Sequence, residues 1–96
     1  MTLTLLLAAH KHSSLHRAEI EKSDGCACFH CLSTFAPSAI TEWIDWPLDT
    51  PEEQQAEAGK TAMCPECGID AVIGSASGYP LTHQFLVEMQ AYWFET

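Results

Sequence analysis

The sequence predicts a small α+β domain of zinc-ribbon-like type, with two cysteine knuckles, two or three short strands and a C-terminal helix packed across them. Three observations carry that reading. The chain has 96 residues, enough for one compact core and too few for two, so residues 1–96 are read as a single domain. Two CxxC pairs, Cys28 with Cys31 and Cys64 with Cys67, have 32 residues between them. Short β-branched or aromatic runs flank those pairs, and an amphipathic pattern closes the chain.

The elements follow in order. Residues 1–13 open with MTLTLLLAA, followed by His10, Lys11 and His12. The run has no basic segment before it and falls far below the roughly 20 apolar residues that cross a bilayer. It is therefore expected to be a flexible lead-in, neither a signal peptide nor a membrane span. Residues 14–23, SLHRAEIEKS, predict a short helix with Leu15, Ala18 and Ile20 to one side and Arg17, Glu21 and Lys22 outward. After Cys31, Leu32 and Phe35 are core candidates and Pro37-Ser38 opens a turn or a single helical turn. TEWIDW at 41–46 reads as a strand that Pro47 ends.

Residues 49–60, DTPEEQQAEAGK, form a low-apolar acidic insertion. Thr50 as N-cap, Pro51 at N1, Glu53 at N3 and Gly59 as stop predict a short solvated helix or a loop. Residues 61–63 predict a strand entering the second knuckle, and IDAVI at 69–73 a strand leaving it between Gly68 and Gly74. GSASG at 74–78 has Ala76 where a hydrolase elbow needs serine, and no Gly-Lys pair follows to make a phosphate loop, so it reads as a flexible turn. Pro80-Leu81-Thr82 starts the clearest helix. Thr82 is its N-cap, Leu81 staples onto Leu86, and Phe85, Met89 and Trp93 recur every four residues with Leu86 and Tyr92 flanking the stripe.

The cysteines give the sharpest chemistry. A CxxC turn points two sulfurs to one side of a tight knuckle, and two such turns supply the tetrahedral sulfur set that zinc prefers. In the second knuckle Pro65 presets the turn, and Gly68 can take the positive φ that lets backbone N–H groups face the sulfurs. The first, Cys28-Phe29-His30-Cys31, lacks the glycine and is the less ideal of the two. The expected cofactor is one structural Zn2+ on Cys28, Cys31, Cys64 and Cys67. A redox CxxC belongs to a larger α/β fold than this chain can build, and five cysteines cannot all pair as disulfides. Cys26 is an alternate ligand in place of Cys28, but its spacing to Cys31 makes a looser knuckle, which favours a free thiol beside the site. A closed four-sulfur site leaves no position for water or substrate, so the metal reads as structural.

Charge bounds the partners. The formal charge is −9, and beyond Lys22 eleven carboxylates face Lys60 alone. A surface of that sign repels phosphate backbones and steers basic proteins, which disfavours nucleic acid and favours a protein partner. Trp43, Trp46 and Trp93 are candidates for an exposed aromatic contact, with core packing as the alternative. His16 and Arg17 are candidates for a contact or, with His10 and His12, a second ion site, with plain surface residues as the alternative. His30, inside a knuckle whose metal four sulfurs already fill, is expected to hydrogen-bond or lie exposed, and His83 to lie on the surface. No histidine shows a nucleophile and carboxylate to work with, so no catalytic residues are named. The expected function is a non-enzymatic protein-interaction module, an adaptor or inhibitor. Two alternatives stand: a nucleic-acid-binding ribbon using Lys11, Arg17, Lys22 and the histidines, and a small metal-dependent nuclease with a second ion near His16 or the carboxylates.

Three segments together are familiar: HRAEI at 16–20, CFHCLSTFAPSAITEWID at 28–45 and TAMCPECGIDAVIGSASGYPLTHQFLVEMQAYWF at 61–94, with CPxCGIDxVIG and SGYP the most specific parts. The chain resembles a family of small bacterial proteins with paired cysteine knuckles, usually described only as uncharacterised or cytoplasmic. The resemblance implies a cytoplasmic, bacterial or phage-derived zinc-ribbon-like protein with Cys28, Cys31, Cys64 and Cys67 at the knuckle positions. It brings no activity with it, and it does not extend to residues 1–13 or 49–60.

Overall fold

A computed structural model describes residues 2–94. At its centre lies a three-stranded antiparallel sheet in the order β2-β1-β5, formed by β1 (Cys26–Cys28), β2 (Thr34–Phe35) and β5 (Val72–Gly74). Cys26 pairs with Phe35 on one side and Gly74 on the other, and Cys28 pairs with Val72. All three residues of β1 and all three of β5 are buried. A second, two-stranded sheet joins β3 (Trp43–Ile44) to β4 (Thr61–Ala62), with Trp43 opposite Ala62 and Ile44 opposite Thr61. The strand before the second knuckle thus pairs with the TEWIDW segment, and the strand after it pairs with the first knuckle's own strand.

Among the described residues, four α-helices complete the fold: α1 (Thr2–His10), α2 (Arg17–Lys22), α3 (Gln55–Ala58) and α4 (His83–Phe94). In α4, Phe85, Leu86 and Met89 are buried, and the Thr82 hydroxyl accepts the Phe85 amide at 3.2 Å, so Thr82 caps the helix as expected. Leu81 and Trp93 pack against the core, whereas Tyr92 is exposed rather than part of the stripe. The Gln90 side-chain amide donates to the His30 carbonyl at 2.8 Å, which pins α4 to the first knuckle.

Several expectations are corrected. Residues 2–13 form α1 followed by a 3₁₀ turn, with Leu6 and Ala9 in the core; Met1 lies outside the described residues. LTLLLAA is apolar on every side of the helix, so it gives no periodic signal. Helix α2 begins at Arg17 rather than at residue 14, because Leu15 has a left-handed backbone (φ 51) and points outward at 70% exposure; of the three residues expected to face inward, only Ile20 is buried. Strand β3 stops at Ile44 because Asp45 turns left-handed (φ 63), its carboxylate accepting the Thr61 hydroxyl at 2.6 Å.

Thr50 caps no helix. Its hydroxyl donates to the Pro47 carbonyl at 2.6 Å, closing a turn, and the following residues form a 3₁₀ turn (Glu52–Gln54) that runs into the four residues of α3. Gly59 ends α3 in an extended conformation; a Cβ there would lie 2.6 Å from the Trp43 Cβ, so close approach is what requires glycine. IDAVI begins as a strand only at Val72, because the Ile69 and Ala71 carbonyls accept the amides of Cys64 and Phe29. The GSASG segment is a 3₁₀ turn (Ser75–Ser77) tied to α2: the Ser75 hydroxyl accepts the Asp24 amide and the Ser23 hydroxyl accepts the Ala76 amide, each at 2.9 Å.

Candidate metal centre

The two knuckles have the same backbone wiring. In the first, the amides of His30 and Cys31 point at the Cys28 sulfur at 3.3 and 3.5 Å; in the second, those of Glu66 and Cys67 point at the Cys64 sulfur at 3.3 and 3.4 Å. Such N–H groups stabilise a thiolate, since each places a partial positive charge against the sulfur. The Cys28 amide donates to Ser33 and the Cys64 amide to Ile69, five residues on in each case, and these bonds close the loops.

Strand β1 and the start of β5 bring the knuckles face to face. The Cys28 and Cys67 sulfurs are 3.7 Å apart, as are those of Cys31 and Cys64, and all four lie within 4.8 Å of one another. A tetrahedral site with metal–sulfur bonds of about 2.3 Å has sulfur–sulfur edges of about 3.8 Å. A disulfide would need about 2.05 Å, and all five cysteines are free thiols. Four cysteines at these distances can hold one metal ion, an arrangement compatible with a zinc-ribbon-like site. Among the described residues, no other group of three or more Cys, His, Asp or Glu side chains comes so close.

The electrostatics are uneven. Burial pushes the Cys28 thiol well up, and Cys64 and Cys67 beside it add to the rise. Cys67 is also raised by burial. Burial acts on Cys31 in the same sense, but hydrogen bonds from the Ser33 side chain and backbone and from the Cys64 and Cys67 thiols outweigh it, bringing Cys31 down to about 7. Cys31 and Cys67 are the half-exposed members of the set. Four thiolates so close repel one another, and a dication removes that repulsion.

The remaining sequence candidates disperse. Cys26 is buried in β1 outside the cluster of four, and burial raises its thiol to about 11. His10 stacks on Trp93 with ring centres 3.9 Å apart, and the His12 ring meets the Glu19 carboxylate at 2.9 Å. His16 is 6% exposed, with no hydrogen-bond partner for either ring nitrogen; burial lowers it to about 4, which keeps it neutral. The three N-terminal histidines are not among the residues that cluster within ligand distance, and His16 is buried.

Arg17 is occupied within the chain. Its guanidinium lies 4.4 Å from the centre of the Trp43 ring, bonds Glu21 at 3.2 Å and donates to the carbonyls of Glu57 and Gly59, each at 2.9 Å. It caps the end of α3. Trp43 and Trp93 are half-buried, and Trp46 is exposed. His30 donates only its backbone amide to the knuckle, while its ring packs edge-on to Phe94. No described helix is long and apolar enough to cross a membrane. Comparison of the chain with protein-family models, curated proteins and solved structures found no match.

Proposed function

We propose that Cys28, Cys31, Cys64 and Cys67 hold one structural zinc and that the chain so folded is a non-enzymatic protein-interaction module, an adaptor or inhibitor for a basic partner. Zinc suits the donor set because four thiolates at tetrahedral spacing favour a soft-tolerant d¹⁰ ion with no need of a fifth ligand. The kinship with cytoplasmic bacterial knuckle proteins that its segments suggest belongs to the same reading.

The observation that carries the interaction role is the segment between β3 and α3. Leu48 stands 94% exposed and Trp46 39% exposed, among the exposed carboxylates of Glu42, Asp49, Glu52 and Glu53. Beside them a cleft of about 300 Å³ runs between Trp43, Trp46 and Gln55 with Glu42 and Glu52 on its rim. Two apolar side chains held out among like charges fit a partner that has a hydrophobic pocket bordered by Lys or Arg. The turn that presents Leu48 is built for it, since Asp49 takes a left-handed backbone (φ 70) and the Thr50 hydroxyl closes it.

Affinity capture with the zinc-loaded protein is the test. A specific basic partner should be recovered, less of it as salt rises, and none by the double variant Trp46→Ala, Leu48→Asp. Equal recovery by both forms, or a monomer that recovers no protein from its source cell, overturns the interaction role.

A further inference from the structure

We propose that the cleft between α1, the first knuckle and the end of α4 binds an organic cation, an alkylammonium or a guanidinium group. The cleft measures about 350 Å³, within the range of small-ligand sites. Its walls are aromatic. Phe29 is buried, with its ring centre 5.8 Å from that of Phe94 and 6.1 Å from that of His10, and His10 in turn stacks on Trp93.

Among the described residues, Asp70 is the one fully charged side chain in the lining, and no Lys or Arg joins it. Of the two serines there, Ser13 donates to the His10 carbonyl at 2.7 Å, and Ser14 lies exposed. An anion entering this cleft would meet a carboxylate set among electron-rich aromatic rings. A cation meets the same groups as attractions, through the ring quadrupoles and a charge-assisted bond to Asp70. The formal charge of −9 on the whole chain draws it in. The Trp93 indole N–H has no hydrogen-bond partner among the described residues and sits in the lining of the cleft, so it reports on a ligand there.

No residue of this cleft belongs to the Trp46 and Leu48 surface, so either idea can fail while the other stands. The cation can belong to a free amine or to the side chain of a protein; the test separates the two. The zinc-loaded full chain is titrated with agmatine and, separately, with a blocked Gly-Arg-Gly peptide, while NMR follows the Trp93 indole N–H. Saturable shifts of that signal are expected with agmatine, and none with the neutral analogue butylurea. Asp70→Asn, on the surface and outside the metal set, should weaken binding about tenfold while keeping its zinc and its spectral dispersion. Phe94→Leu, which keeps an apolar wall and removes a π face, should also weaken it. Tighter binding of the peptide than of agmatine assigns the cation to a protein side chain, and the reverse order to a free amine. Absence of a shift with both cations, equal binding of butylurea, or unchanged affinity in Asp70→Asn overturns the proposal.

Discussion

Leu32 and Gly68 occupy equivalent places in the two knuckles. The Leu32 amide donates to the Cys28 carbonyl at 2.8 Å and the Gly68 amide to the Cys64 carbonyl at 2.9 Å, with left-handed backbones at φ 67 and φ 77. The knuckle that lacks a glycine makes the same turn with a leucine. Glycine adopts that conformation freely, whereas a residue with a Cβ is strained there by about 1 kcal/mol. Leu32 offsets the strain by packing its half-buried side chain on the core.

The two positions should therefore respond differently to substitution. Gly68→Ala is expected to destabilise the zinc-loaded protein by about 1 kcal/mol, since nothing crowds a Cβ there and only the backbone resists. Leu32→Gly should be close to neutral, because relief of strain balances about 1 kcal/mol of lost burial. Guanidinium unfolding of both variants checks this, and a loss at Leu32→Gly larger than at Gly68→Ala would refute the equivalence.

Gly59 makes a contrasting case. Its φ of −61 suits any residue, so a cost of Gly59→Ala can come only from contact with Trp43, whose Cβ and carbonyl carbon would lie 2.6 and 2.7 Å from the new methyl. Thermal unfolding should show a loss of about 1 to 3 kcal/mol. An unchanged melting temperature would mean that the 43–59 contact is looser than described.

His16 gives the fold a defined pH response. Burial lowers its pKa from 6.5 to about 4, with Glu19 opposing the shift and His12 adding to it. The unfolded chain takes up a proton as pH falls through about 6.5 while the folded chain does not until about 4, so stability is lost across that interval and this residue changes nothing further below it. The loss amounts to roughly 2 to 3 kcal/mol. In an NMR titration of the zinc-loaded protein, the His16 ring signals should stay in place from about pH 8 to about pH 5. A midpoint near 6.5 would show that the ring is exposed.

What the sequence revealed follows from how local each signal was. The Thr82 cap and the Phe85, Met89 and Trp93 stripe are encoded within a few residues of one another; the cap is found as read, Phe85 and Met89 are buried with Leu86, and Trp93 is half-buried. The four cysteines were legible because CxxC chemistry fixes which atoms face one another, whatever lies between. The pairing of Ala27 with Ile73 and of Trp43 with Ala62 was hidden, since strands of two or three residues carry too little alternation to declare a register. Left-handed backbones at Leu15 and Asp45 trimmed elements that composition alone would extend. The aromatic cleft joins residues 10, 29, 70 and 93 from four segments, and only the folded chain puts them together.

Native mass spectrometry with metal analysis of the freshly purified protein tests the centre of the account most directly. One zinc per chain is expected, kept in Cys26→Ser and lost in Cys64→Ser, with chelation collapsing the fold because a structural zinc contributes on the order of 10 kcal/mol. A chain that stays folded without metal, or whose mass reveals Cys28, Cys31, Cys64 and Cys67 joined as disulfides, would contradict it.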